Sequence, residues 1–152
     1  MLTFQVENFS AFRDEAKPLF ERHWREIAID QDRIEFAPDW QQYDSLEKCG
    51  ILHCLTVRRD GAIVGYFITL LLKHPHYSRS GLFAITDVYY LMPEHRLGGT
   101  GAKMLTAWER SLRERNVVKA YLSTKIQDGK DNTRLFERLG WRHTDNSFTK
   151  VF

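Results

Sequence analysis

The sequence predicts an α/β fold in one domain spanning residues 1–152: a mixed, mostly antiparallel sheet of about six to seven strands flanked by about four helices. Three observations carry this expectation. Apolar residues recur with a period near 2 from residue 51 to residue 92 and then switch to a period near 3.6, so a run of strands hands over to a long helix. Asp60-Gly61 divides "ILHCLTVRRDGAIVGYFITLLL" into two β-rich arms, and this pair favours a tight hairpin because glycine takes positive φ without penalty. The 152 residues, 43% of them hydrophobic, are enough for one core and short for two, and no linker, repeat or low-complexity tract marks a boundary.

The elements follow in order. "LTFQVENF" alternates as a first strand. From Ser10 onward, Ala16, Leu19, Phe20, His23, Trp24 and Ile27 recur at helical spacing, and Pro18 among them predicts a break or a fresh start. Residues 29–50 mix Asp30, Asp32, Glu35, Asp39, Asp44 and Glu47 with Phe36, Trp40 and Tyr43, and a short helix over 39–48 fits them. The two hairpin arms and "LFAITDVYYLM", beyond the polar link "KHPHYSRSG", make three consecutive antiparallel strands. Gly101, Leu105, Trp108 and Leu112 lie on one stripe of the next helix, which Asn116 stops and whose dipole suits Arg113 and Arg115. "VVKAYLSTKI" reads as a strand. "NTRLFERLGW" reads as a short helix with Leu135, Phe136 and Leu139 inward, closed by Gly140 with Trp141 packing back, and "SFTKVF" as a last strand.

Several classes of function are excluded. A net charge of only +2, with both signs interleaved, demands no polyanion, and "ERSLRERN" alternates with Glu109 and Glu114 as a solvated helix face does. No nucleic-acid partner is expected. No apolar run approaches the ~20 residues of a membrane span, and "MLTFQVENFS" has neither a basic leader nor an apolar signal core, so the expectation is a cytoplasmic protein without a membrane partner. Cys49 and Cys54 fit neither a redox pair nor a zinc half-site and are expected as reduced thiols. His74 and His76 lack further clustered ligands, so no metal is expected.

The chemistry concentrates in "YYLMPEHRLGGTGAKML", residues 89–105. A helix start carries unpaired N–H groups and about half a positive charge, and glycines let an anion approach them without a Cβ in the way. The stretch Arg96, Leu97, Gly98, Gly99, Thr100, Gly101 and Ala102 offers such donors plus a guanidinium, enough for a pyrophosphate. A Walker loop is ruled out because Lys103 follows Ala102 and precedes Met104, and a dinucleotide fingerprint because Met104 stands where a third glycine belongs.

What fits is R-x-x-G-x-G after a strand ending in proline, with Leu91, Pro93, Arg96, Gly99 and Gly101 in place. Here the chain resembles the GNAT superfamily of acyl-CoA-dependent N-acetyltransferases. The closing "LFERLGW" is similar to that family's "LYEKLGF", and the order of elements agrees. The resemblance implies acetyl-coenzyme A as cosubstrate, in a cleft between the fourth and fifth strands. Its pyrophosphate would meet residues Arg96 to Ala102, and its pantetheine arm would run along Tyr90, Leu91 and Met92. The partner would be an amine acceptor, the primary amine of a small molecule or peptide, acetylated by direct attack, and a homodimer is compatible with the family.

A protonated amine must lose a proton before it attacks. Asp87 stands where polyamine-type members carry a glutamate base, and an aspartate in mid-strand needs some partner in any case. Strand alternation places Asp87, Tyr89 and Leu91 on one face, which brings Tyr89 into the same cleft as a second catalytic candidate. Phe136 departs from the family's usual tyrosine, which protonates the departing thiolate. Tyr89, Tyr90 or Tyr121 would have to replace it, with Tyr89 first, or the fold serves as a non-catalytic acyl-CoA-binding module. Glu35, Asp39 and Asp44 are candidates to attract a cationic amine.

Overall fold

The computed structural model describes residues 1–127 and 129–152. The chain runs β1 (Leu2–Val6), α1 (Phe9–Ile27), α2 (Trp40–Lys48), β2 (Leu52–Arg59), β3 (Ala62–Lys73), β4 (Leu82–Leu91), α3 (Thr100–Glu114), β5 (Val117–Tyr121) and α4 (Thr133–Arg138). Short 3₁₀ turns at Pro75–Tyr77 and Pro93–His95 follow β3 and β4. The strands form one sheet in the order β1-β2-β3-β4-β5, antiparallel from β1 to β4, with β5 parallel to β4. The hairpin turn is where the sequence puts it: Asp60 and Gly61 have φ of +50° and +89°.

Two layers cover the sheet. On one face Phe9, Phe12, Ala16, Leu19 and Phe20 of α1 pack on Leu52, Cys54, Tyr66, Ile68 and Tyr90. On the other Met104, Leu105, Ala107, Trp108 and Leu112 of α3 pack on Leu55, Val57, Phe67, Leu71, Ala84 and Leu91. Trp108 is fully buried, stacks on Phe67 at 4.1 Å between ring centroids and donates its indole N–H to Thr69 Oγ1 at 2.8 Å. That bond lets a large polar aromatic occupy the centre of the layer without an orphaned donor. Trp141 stacks on Trp108 at 5.7 Å, and its backbone N–H returns to the Phe136 carbonyl, closing α4 beyond Gly140.

Three expectations are corrected. Among the described residues the sheet has five strands, fewer than six or seven. "SFTKVF" forms no strand: Phe148 and Phe152 are exposed, and an alternating pattern makes a strand only where a neighbour supplies a ladder. Pro18 does not break α1, which continues through it for 19 residues; Pro18 faces solvent, where water can satisfy the Asp14 carbonyl that the ring leaves unbonded.

One close approach tests the packing. Gly65 on β3 pairs with Leu91, and a Cβ added there would lie 2.7 Å from the Tyr90 carbonyl oxygen and 3.3 Å from the Leu91 Cα. Backbone cannot yield as a side-chain tip does. We expect Gly65→Ala to cost about 1–3 kcal/mol of stability, read as a lower urea midpoint with an unchanged slope.

Candidate functional site

The site begins where β4 loses a neighbour. β5 pairs with β4 only from Leu82↔Val117 to Ile85↔Tyr121, whereas β4 continues to Leu91. Thr86 Oγ1 makes the last link, donating to the Tyr121 carbonyl at 2.9 Å. Beyond it the chain after β5 bends away, and Tyr89 reaches across the gap to donate its hydroxyl to the Ser123 carbonyl at 2.9 Å. The result is a wedge whose wall is the free edge of β4.

A bulge in β4 decides which way its side chains point. Ile68 pairs with Val88 and Thr69 with Thr86, so Asp87 has no opposite number on β3. The extra residue resets the alternation. Tyr89 therefore faces α3, stacked on Phe67 at 5.0 Å and edge-on to Phe136 at 6.4 Å, with Leu91 in the same layer. Asp87 faces α2 instead, where Tyr43 donates its hydroxyl to Asp87 Oδ2 at 2.6 Å. The expectation that Asp87, Tyr89 and Leu91 share a face is thus corrected: Asp87 and Tyr89 lie on opposite sides of the edge they flank. Burial, and then the Asp87 carboxylate, push the Tyr43 phenol up, so it stays a donor; burial raises Tyr89 as well.

The glycine turn lies at the far end of the edge. Gly98 and Gly99 have φ of +66° and +75°, with nothing within 4 Å of an added Cβ, whereas Gly101 is already helical. Two of the three glycines thus answer a backbone need. Among the described residues the N–H groups of Gly98, Gly99, Gly101 and Ala102 have no hydrogen-bond acceptor, while Lys103 N–H has begun the helical ladder to the Gly99 carbonyl. Leu97 is exposed, and Thr100 is buried with its hydroxyl donating to the Leu97 carbonyl.

Arg96 is placed differently from the sequence reading. Its guanidinium pairs with Glu26 Oε1 at 2.6 Å, donates to the Leu91 carbonyl at 2.9 Å and lies over the Tyr90 ring, and its backbone N–H bonds the Pro93 carbonyl. It fastens the turn to α1 rather than projecting from the helix mouth. Tyr90 is buried; its hydroxyl donates to Glu26 Oε2 at 2.6 Å, and burial with that carboxylate raises it to about 12. Met92 N–H bonds the Val64 carbonyl, carrying the β3 ladder to the end of the strand.

Other sequence candidates are engaged elsewhere. Asp39 caps α2 by accepting from Gln42 N–H at 2.9 Å, Asp44 takes Arg13 Nη1 at 2.9 Å on both oxygens, and Glu35 is exposed. His74 Nδ1 accepts from His76 N–H in the 3₁₀ turn. Sequence reasoning did not single out Tyr43, Glu26 or His23 for the site. Tyr43 stood among aromatics with no pattern linking it to a strand 44 residues on, and His23 was one member of an apolar stripe.

Comparison with known proteins adds to this geometry. Residues 10–141 match the model of the acetyltransferase (GNAT) family. Among solved structures, a ribosomal-protein-alanine N-acetyltransferase from Brucella melitensis biovar Abortus 2308 is similar at 20% identity, with a TM-score of 0.68 over 100% of both chains. An aminoglycoside acetyltransferase from an uncultured soil metagenomic sample gives 15% identity and a TM-score of 0.75, over 100% of this chain and 99% of the other. A predicted acetyltransferase from Clostridium acetobutylicum, solved with acetyl-CoA, gives 16% and 0.64, over 99% and 96%. Among proteins with curated descriptions, none matches the sequence.

Two buried histidines make stability depend on pH. His23 bonds the Tyr66 hydroxyl at 2.6 Å, and His53 bonds Ser111 Oγ at 2.8 Å through Nε2, leaving its buried Nδ1 without a partner among the described residues. Burial first, and then nearby cations, hold each at about 4 against an ordinary 6.5. Between these values the unfolded chain binds protons that the folded chain refuses, so stability is full above about pH 6.5 and falls as pH drops towards 4. Up to about 3 kcal/mol is at stake for each histidine. Urea midpoints at pH 7 and pH 4.5 should differ accordingly, and the variant His23→Gln/His53→Gln should flatten the difference.

Proposed function

The chain belongs to the acetyltransferase (GNAT) family, and from that premise we propose that it transfers the acetyl group of acetyl-coenzyme A to a primary amine by direct attack. The observation that carries the reading is the unpaired edge of β4, with a carboxylate at one end and a turn of bare N–H groups at the other. The pyrophosphate lies against residues Leu97 to Ala102, mainly on the N–H groups of Gly98, Gly99, Gly101 and Ala102, and Arg96 adds its charge only by leaving Glu26. Pantetheine follows Tyr90, Leu91 and Met92. We place the protein in the cytoplasm, since Cys49 is an exposed free thiol, which a reducing compartment preserves.

The amine nitrogen attacks the thioester carbonyl carbon, the C–N bond forms, and the C–S bond breaks with its electron pair on sulfur. The proton shed by the amine passes to Asp87, directly or through one water, while the hydroxyl of Tyr43 fixes the carboxylate. The thiolate collects a proton from solvent or from Tyr89, the nearer hydroxyl now that Phe136 has none. Because a thiol pKa is only about 8.5, departure without an acid is tolerable.

Phe136 also supports a second reading, an acyl-CoA-binding module without turnover. Coenzyme A release against a panel of polyamines, aryl amines, aminoglycosides and peptide amino termini decides: tight cofactor binding with no release on any amine sinks the enzyme. If the transferase reading holds, Asp87→Asn lowers kcat/KM by about 10²- to 10⁴-fold and leaves the Kd for coenzyme A unchanged in calorimetry. Undiminished turnover removes Asp87 from the mechanism. Gly99→Val should instead weaken coenzyme A binding at least about tenfold, because a β-branched residue at positive φ strains the turn by about 1–3 kcal/mol.

A further inference from the structure

Between α1, α2 and β4 lies a cavity of about 160 Å³. Phe20 and Trp24 of α1, Phe36 of the connecting segment, Trp40 and Tyr43 of α2, and Val88 of β4 form its wall. These rings support one another, with Trp24 against Phe36 at 5.9 Å and Phe20 against Trp40 at 5.6 Å between centroids. The cavity abuts the proposed base, for Val88 follows Asp87 in the chain and Tyr43 bonds Asp87 directly.

Charge and size narrow what fits. Besides Tyr43, the ionisable side chains in the wall are His23, kept neutral at about pH 7 by burial, and Lys125. Lys125 Nζ donates to the Ile27 carbonyl at 3.3 Å, so a positive charge is tethered at the rim. Of the nearby acids, Asp39 caps its helix, Asp44 pairs with Arg13, Glu26 holds Arg96 and the Tyr90 hydroxyl, and Glu35 is exposed. Among the described residues of this wall a polycation would thus meet one cation and no carboxylate, Asp87 lying just beyond Val88. An apolar cavity of about 150 Å³ accepts one benzene ring.

We infer that the acceptor is a primary amine joined by a short tether to a single aromatic ring, the ring filling this cavity and the nitrogen meeting Asp87. The inference rests on the acetyltransferase reading for its chemistry and on the cavity for its specificity. The ring gains apolar burial and aromatic contacts that a polyamine or an aminosugar cannot make.

Phenethylamine, spermidine and kanamycin are compared by coenzyme A release and, independently, by calorimetric binding to the full chain. The expected result is kcat/KM for phenethylamine at least about tenfold above both others. Phe36→Ala and Trp24→Ala, each a partly buried wall residue outside the main core, should raise its KM about tenfold and leave the Kd for coenzyme A unchanged. Equal or better use of spermidine or kanamycin overturns the inference, as does an unchanged KM in both variants. If no amine releases coenzyme A, the transferase reading fails, while phenethylamine binding weakened by Phe36→Ala still establishes the aromatic site. Failure of phenethylamine to bind overturns the inference whatever the turnover.

Discussion

Everything in the site depends on β4 losing its β5 partner after Ile85. A strand edge inside a protein leaves N–H and C=O groups that must find partners. On the β4 edge itself Arg96 covers the Leu91 carbonyl, and across the gap the Thr86 and Tyr89 hydroxyls donate to the Tyr121 and Ser123 carbonyls. Between those points β5 offers the edge no partner, which is what the proposed pairing with the amide-rich arm of coenzyme A requires. The parting of two strands thus creates both the space and the hydrogen-bonding demand that the proposed cosubstrate would meet.

The bulge at Asp87 gives the wedge two chemically different sides. Towards α3 the edge carries Tyr89 against Phe67 and Phe136, an aromatic layer. Towards α2 it carries Asp87 and Tyr43, a carboxylate and a phenol that burial keeps protonated. Had the strand alternated without interruption, Asp87, the proposed base, and Tyr89 would have shared one face. One inserted residue separates them while keeping both within reach of the same edge.

Much of this architecture is legible in the sequence, and the failures have physical causes. The Asp60-Gly61 turn, the short helix over 39–48, the stop at Asn116 and the glycine turn are local features, set by φ preferences and periodicity within a few residues. The Asp87 bulge and the Tyr43–Asp87 bond depend on partners tens of residues away, and neither leaves a local trace. Arg96 shows the limit of motif reading: the motif located the turn correctly, yet the side chain's partner, Glu26, lies on a helix 70 residues earlier. "SFTKVF" failed in the opposite sense, because its alternation had no strand to pair with.

Helix α1 ties the two halves of the site together. Arg22 and Glu26, one turn apart, hold the start of the turn from opposite ends: Arg22 makes a two-bond pair with Glu94 at 2.9 and 2.8 Å, and Glu26 takes both Arg96 and the Tyr90 hydroxyl. Phe20, Trp24 and Ile27 of the same helix line the cavity beside Asp87. The glycine turn and the aromatic cavity, the proposed pyrophosphate and acceptor sites, are therefore referred to one helix. Direct attack needs the reacting atoms held within about 3–3.5 Å, and a shared helix reduces the independent motions that could spoil that distance. The continuity of α1 through Pro18 is part of the same logic, since Phe9, Phe12, Ala16, Leu19 and Phe20 on both sides of Pro18 anchor in the core the same helix whose later turns carry Arg22, Trp24 and Glu26.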